Sequence, residues 1–330
     1  MFLSIQQARE LAEAGMRGCG HSAEEARVIA DHLIDCELRG LSYGGLPRAL
    51  SIIERIAASP TPPRPIRIER ESAVSAAIDG GDQVGYLVAQ RATDLAIAKA
   101  RDSGVAVVGA RQTWYTGMFS YYLEQVTGAG FAGMIAGSGG HIVAPHGGTE
   151  KRFGTNPIAF GFPTPTAPMI WDIGTSSVML AEVLLKLRLG EQLAPGLAFD
   201  GQGQPTREPA EALAGAFSVW GGHKGSGLAL VVQLLGMLCG AAAAPEGLRD
   251  CGFFLLVVDP GLFGEREAFR QRVGEYLESL RATRPLEEGR PVRVPFERSA
   301  AERERRLAEG RVEVEEVVYQ ALVKVAGTGG

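Results

Sequence analysis

From Ile5 to Arg39 apolar positions recur at helical spacing, and the stretch after Gly20 opens with Ser22 followed three residues later by Glu25. That pair is a helix start in which each side chain bonds the other's backbone. Two helices are predicted, the second over Ala23–Leu38, running into the glycine-rich turn LSYGGLPR. Ser42 and Tyr43 then stand just past a helix end, where side chains are often presented for chemistry. Four prolines in Pro60–Pro65 cannot continue a helix or a central strand, and they mark a boundary. Beyond it AVSAAIDGG predicts a strand and turn, Val84–Ser103 an alanine-rich helix, and VAVVGA a buried strand ahead of the loop RQTWYTG. Between Met134 and Pro163 the short apolar runs MIAG and IAFGF lie among glycines, predicting strands joined by tight turns and a site lined by backbone. After Asp172 come a helical stretch, a DGQGQPT turn, an apolar helix over Ser226–Cys239 and the strand FFLLVVD. The C-terminal part is charged and helical, interrupted by the strand-like PVRVP.

A chain of 330 residues exceeds one typical domain, yet its 45% hydrophobic content is spread evenly, so interleaved lobes sharing cores are expected. Residues 1–65 with roughly 290–330 form a helical lobe in this reading, and 66–289 an α/β part. Val126–Thr149 and Gly225–Pro245 carry no charge over about the 20 residues a membrane span needs. Glycines, His141, Pro145 and His146 break the first and Gln233 interrupts the second, so turns and a buried core helix are expected instead. The start MFLSIQQARELAEAG places charges where a signal peptide needs an apolar run, which points to a cytoplasmic protein. A net charge of −5 with no basic block offers little attraction to nucleic acid or anionic lipid, leaving small molecules as partners. Cys19, Cys36, Cys239 and Cys251 lie far apart without a CxxC pair, against a zinc site, a redox dithiol or a disulfide framework. His21, His32, His141 and His146 lack metal-ligand spacing, and capping, turn or surface roles are favoured for them.

One literal GxGxxG occurs, GAGFAG at Gly128–Gly133, after a predicted helix and before a strand. That is the reverse of the strand-turn-helix order of a dinucleotide fingerprint, so a Rossmann site is disfavoured. No P-loop, HExxH or GxSxG is present. What remains is a series of glycine-rich loops with polar tips: SYGG, APHGG, GTNP, DIGTSS and GGHKG. Glycine lets a ligand approach the backbone, while Thr155, Asn156, His223 and Lys224 can bond a pyrophosphate or a carboxylate.

In this order the loops resemble the malate/L-lactate dehydrogenase-like family of nicotinamide-dependent oxidoreductases, which includes ureidoglycolate dehydrogenases and Δ1-piperideine-2-carboxylate reductases. APHGGTEKRFGTNP resembles the family's APxGG and GTNP, WDIGTSS its DxATS, FDGQGQPTREP its DxxGxxTxDP, and GGHKGSGLAL its GGxKGxGL; the resemblance spans nearly the whole chain. It implies a non-Rossmann α/β fold with mixed sheets and helices from both chain ends packed together, and a homodimer. NADPH or NADH is the implied cofactor. Its contacts would fall on Tyr115, Thr116, Gly117, Met118 and Phe119; on Asp172, Ile173 and Gly174; on His223 and Lys224; and on Arg293, Pro295, Glu297 and Arg298.

Where relatives carry Ser-His-Gly with a proton-carrying histidine, this chain has Ser42, Tyr43, Gly44, and a second family histidine is replaced by Tyr115. A free phenol has a pKa of about 10 and an imidazole about 6.5, so at pH 7 about one unperturbed phenol in a thousand is a ready base. A neutral phenol is nonetheless a competent proton donor, which favours reduction of a small 2-oxo acid or cyclic 2-imino acid. Glu182 aligns with the carboxylate that orients the proton carrier, with Ser42 as a further partner. Arg48, one place beyond the family's arginine, and Thr155 are expected at the substrate carboxylate, and Leu180 in the substrate pocket. Ordinary roles stand beside these: Tyr43 a half-buried aromatic, Tyr115 part of the cluster with Trp114, Phe119, Tyr121 and Tyr122, Arg48 a solvated charge, Glu182 a surface acid four residues from Lys186, and Leu180 plain core. A family scaffold that has lost hydride transfer and serves as a binding subunit, or a non-redox enzyme acting on a related acid, are the competing functional classes. Arg111, Lys151 and Arg152 are the cations available to a 2′-phosphate.

Overall fold

The structure is a computed structural model, and it describes residues 1–245 and 247–327. Strand β1 (Phe2–Ser4) leads into helix α1 (Ile5–Gly18), capped by a Ser4–Gln7 box, and α2 (Ala23–Leu38) starts on the predicted Ser22–Glu25 box. Such caps satisfy otherwise orphaned backbone donors and contribute about 1 kcal/mol each. A single 3-10 turn, Ser42–Gly44, separates α2 from α3 (Leu46–Ala57), whose first turn holds Pro47, where a missing N–H costs nothing.

Past the prolines come β2 (Arg67–Glu71), β3 (Ser75–Val84), α4 (Gly85–Ser103), β4 (Val105–Trp114), α5 (Phe119–Gly128) and β5 (Ala132–Ser138). Next are β6 (Ile158–Phe162), β7 (Met169–Ile173) and α6 (Leu180–Leu189). The DGQGQPT turn joins β8 (Ala198–Phe199) to β9 (Pro205–Thr206), its Asp200 Oδ1 accepting from the Gln202 and Gln204 N–H groups at 2.8 Å. The chain closes with α7 (Pro209–Ala214), β10 (Ala216–Phe217), α8 (Gly222–Leu238), β11 (Cys251–Val258), α9 (Arg266–Arg281), α10 (Glu297–Glu309), β12 (Arg311–Glu313) and α11 (Glu316–Gly327).

Seven described strands form one sheet in the order β2-β3-β4-β11-β5-β6-β7. β3 and β4 run parallel, joined by α4, and every other pairing in the sheet is antiparallel. A doubly wound parallel sheet is therefore absent, and GAGFAG lies between α5 and β5, helix before strand. Helices α4 and α5 cover one face of the sheet around Ile97, Phe119, Leu123 and Phe253; α8 covers the other around Ile158, Val232 and Phe254. The chain ends meet as the sequence resemblance implies. β1 pairs with β12, and Leu33, Leu46, Ile52, Val318 and Leu322 of α2, α3 and α11 share one core.

Three local expectations change. PVRVP forms no described strand: Pro291 and Pro295 have no N–H to give a ladder, and Val294 donates to Glu297 instead. β4 runs on through Thr113 and Trp114, which pair with Gln83 and Val84, so the loop after it begins at Tyr115. Helix α8 starts at Gly222, absorbing GGHKG into its first turn, and it is not a buried core helix. Leu230, Val231, Leu234, Met237 and Leu238 are 42–74% exposed. Their spacing places them along one side of the helix, an apolar face directed away from the sheet.

Candidate active site

The turn after α2, the loop after β4, the glycines after β5, the end of β7 and the start of α10 enclose a cavity of about 990 Å³. Of the expected site residues it brings together Tyr43, Arg48, Tyr115, Thr116, Gly117, Met118, Thr155, Asp172, Ile173, Gly174, Leu180, Pro295 and Arg298.

Tyr43 rides on the Ser42–Gly44 turn, which α2 holds from beneath. Glu37 Oε1 accepts from the Leu46 N–H at 2.7 Å, and a Cβ on Gly45 would come within 2.1 Å of that same oxygen, so glycine is required there. Burial is the main force raising the Tyr43 hydroxyl to about 12, with the negative charges of Asp172 and Glu182 adding to it and Arg298 opposing. The phenol is therefore a donor, not a base, at neutral pH. Among the described residues no hydrogen bond joins it to Ser42 or Glu182; Ser42 is exposed, and Glu182 acts on Tyr43 through its charge. Lys186 pairs with Glu191, not with Glu182.

Arg48 is buried, not solvated, and its Nη1 has no hydrogen-bond partner. Its guanidinium carbon sits 4.0 Å from the centroid of the Tyr115 ring. The aromatic cluster expected around Tyr115 is divided: Trp114 and Tyr122 are core residues, Phe119 packs edge-on against Phe253, and Tyr115 lines the cavity. The Phe119 side chain is thus committed to the interior and cannot contact a cofactor.

His32 is buried among Tyr86, Tyr121 and Tyr122, not at a cap, turn or surface, and its Nε2 accepts from the Met118 N–H at 2.9 Å. Burial, with the nearby Arg39 charge, pushes the imidazole down to about 3. Gly117, at φ +76°, packs on the ring so closely that a Cβ would lie 2.5 Å from Nε2. Across the cavity Asp172 accepts from the Ser120 N–H at 2.7 Å; burial raises its carboxyl to about 6 against that bond.

The remaining expected residues stand elsewhere. His223 and Lys224 are exposed on the first turn of α8 and do not line the cavity, His223 lying 6.2 Å ring to ring from His146. Glu297 is committed to Arg281 and to the Val294 N–H, and Arg293 is exposed outside the lining. Asn156, though it borders the cavity, is a structural anchor, its Nδ2 donating to Ala229 O and Gln233 Oε1 of α8 at 2.9 and 3.0 Å. Arg111 pairs with Glu69 and Arg152 with Glu150, leaving Lys151 as the cavity-lining cation of those three. Arg39, with Asp35, Glu124 and Arg303, ties α2, α5 and α10 together beside the cavity. Pattern does not single out Glu37 or Arg39, and it gives His32 only a cap, turn or surface role. Their one signal was ionisable residues among Leu33, Ile34, Cys36 and Leu38 on a helix buried nearly all round.

Compared with known proteins, residues 3–323 fit the family described as malate/L-lactate dehydrogenase. The chain is 31% identical to L-sulfolactate dehydrogenase of Methanocaldococcus jannaschii, over 100% of this chain and 98% of that protein. It is 28% identical to Delta(1)-pyrroline-2-carboxylate reductase 1 of Burkholderia ambifaria, over 98% and 97% respectively. A dehydrogenase structure from Sinorhizobium meliloti superposes with a TM-score of 0.90 at 30% identity, covering 99% of this chain and 98% of that one.

Proposed function

The chain belongs to the malate/L-lactate dehydrogenase family of oxidoreductases acting on small acids, and on that premise we propose that it reduces a 2-oxo acid or cyclic 2-imino acid at C2 with NADPH or NADH. One observation carries this reading: a phenol held protonated and a buried guanidinium with a free edge face one cavity.

The cavity suits an extended dinucleotide, since glycines such as Gly117, Gly137, Gly139, Gly154 and Gly174 in its lining let a ligand approach the backbone. Thr116, Gly117 and Met118 would hold it on one side, Asp172, Ile173 and Gly174 on another, with Pro295 and Arg298 at the start of α10. Bound there, a reduced nicotinamide supplies the hydride. Lys151, exposed and lacking an ion partner among the described residues, is the group available to a 2′-phosphate.

Arg48 takes the substrate carboxylate on its free edge, with the Thr155 hydroxyl as a second donor and Leu180 as an apolar wall. Tyr43 donates its proton to the oxygen formed at C2 of a 2-oxo acid. A protonated imine is already electrophilic and leans on Tyr43 less. Burial above all, with the Asp172 and Glu182 charges adding to it, opposes ionisation of the phenol ahead of that step. Outside the cavity, the apolar face of α8 supports a homodimer, since a patch of this kind on a folded chain marks an interaction surface. Among the described residues no helix is long and apolar enough to cross a membrane.

The test is turnover of a 2-oxo and cyclic imino acid panel with each reduced cofactor. Tyr43→Phe should lower turnover of 2-oxo acids by about 100-fold or more, in the range of general acid catalysis, and of imino acids by less, with cofactor affinity unchanged. A wild-type protein that binds cofactor yet turns over nothing in the panel would support the scaffold reading instead.

A further inference from the structure

Tyr115 and Arg48 form one unit. Arg48 Cζ lies 4.0 Å from the Tyr115 ring centroid while the buried Nη1 has no partner. An arginine stacked on an aromatic face is fixed in plane but keeps its edge donors, the fork that matches a planar carboxylate.

The backbone shows that the stack is imposed. Tyr115 has φ +50°, a left-handed conformation that is unfavourable for an aromatic residue and persists where surrounding structure dictates it. That structure is visible on both flanks. Trp114 Nε1 donates to Asp82 O at 2.9 Å beneath Arg55, and the Tyr122 hydroxyl donates to Thr116 O at 2.9 Å. Clamped before and after, the loop aims the Tyr115 ring at Arg48.

We propose that Tyr115 is a positioning residue on the substrate side, holding the Arg48 guanidinium so that its free edge receives the carboxylate of a 2-oxo or 2-imino acid; cofactor contacts begin one residue later, at Thr116. The proposal rests on the reductase reading and replaces the cofactor role that the family motif suggests for this position. It also links two departures that the sequence resemblance implies: an arginine set one residue further along α3 meets an aromatic ring at the position where a histidine is expected.

The experiment measures the affinity of pyrrole-2-carboxylate, a planar carboxylate that is not reduced at C2, and of NADPH and NADH, by calorimetry on the full-length protein, with and without saturating cofactor. Tyr115→Asn removes the ring while tolerating the left-handed backbone; Tyr115→Phe keeps the stack. The expected result is that Tyr115→Asn weakens pyrrole-2-carboxylate tenfold or more and leaves nicotinamide affinity within about twofold, while Tyr115→Phe stays within threefold of wild type for both. Loss of nicotinamide affinity in Tyr115→Asn with the carboxylate unchanged overturns the proposal, as does a wild type that binds cofactor but no carboxylate. If the wild type binds the carboxylate but no nicotinamide and Tyr115→Asn still loses the carboxylate, the clamp stands and the reductase reading falls.

Discussion

Replacing Glu37 by glutamine should make the protein more stable at alkaline pH than the wild type. The Glu37 carboxyl is 1% exposed, accepts one bond from the Leu46 N–H, and leaves Oε2 without a partner. Burial raises it to about 8, with the Leu46 N–H and the Arg306 charge opposing. An ordinary glutamate titrates near 4.3, so between there and pH 8 the folded chain keeps a proton that the unfolded chain has shed. Stability therefore falls as pH rises through that window and levels off above it. At 1.36 kcal/mol per pKa unit the full swing is roughly 5 kcal/mol, an order-of-magnitude figure. Glutamine keeps an acceptor for the Leu46 N–H and cannot titrate, so its contribution is flat. Urea unfolding at intervals from pH 5 to 9 would show the two proteins similar at pH 5 and Glu37→Gln ahead by a few kcal/mol at pH 9. Curves running parallel across that range, or diverging toward acid, would refute the reasoning, because the buried carboxyl would then be ionised in the fold.

Two further outcomes follow from other contacts. His32→Leu strips the Met118 N–H of its buried acceptor, a loss of about 1–3 kcal/mol, so it should weaken cofactor binding roughly five- to a hundredfold while leaving pyrrole-2-carboxylate affinity within twofold; equal weakening of both would mean general damage to the fold. If the exposed face of α8 carries the proposed homodimer, the wild type should be a dimer by light scattering and Leu234→Lys a monomer; a monomeric wild type, or a dimer that Leu234→Lys leaves intact, would refute that role for the face.

What could be read from the chain and what could not divide along a physical line. Helix α2 was legible to the residue because a capping box is local: Ser22 and Glu25 close on each other's backbone within one turn. The β3-α4-β4 alternation was legible because apolar period and glycine breaks are local as well. The exposure of α8 was not. An apolar helix looks alike in sequence whether its second face meets a sheet, solvent or another subunit, and that depends on which element the chain folds against it.

The site divides in the same way. Order and type of loop motifs determined the family and the fold, and they named a part of the residues that surround the cavity, since glycine and small polar side chains at fixed spacing are a property of the chain itself. Tertiary structure alone decided how those residues work. His32 and Glu37 support two site loops because α2 is buried beside them, and Tyr115 turns to Arg48 because Trp114, bonded to the distant Asp82 carbonyl, and Tyr122, bonded to Thr116 O of the loop itself, hold that loop on both sides. A side chain's chemical type is written at its position; its protonation, its partner and its direction depend on neighbours brought close by folding from far along the chain.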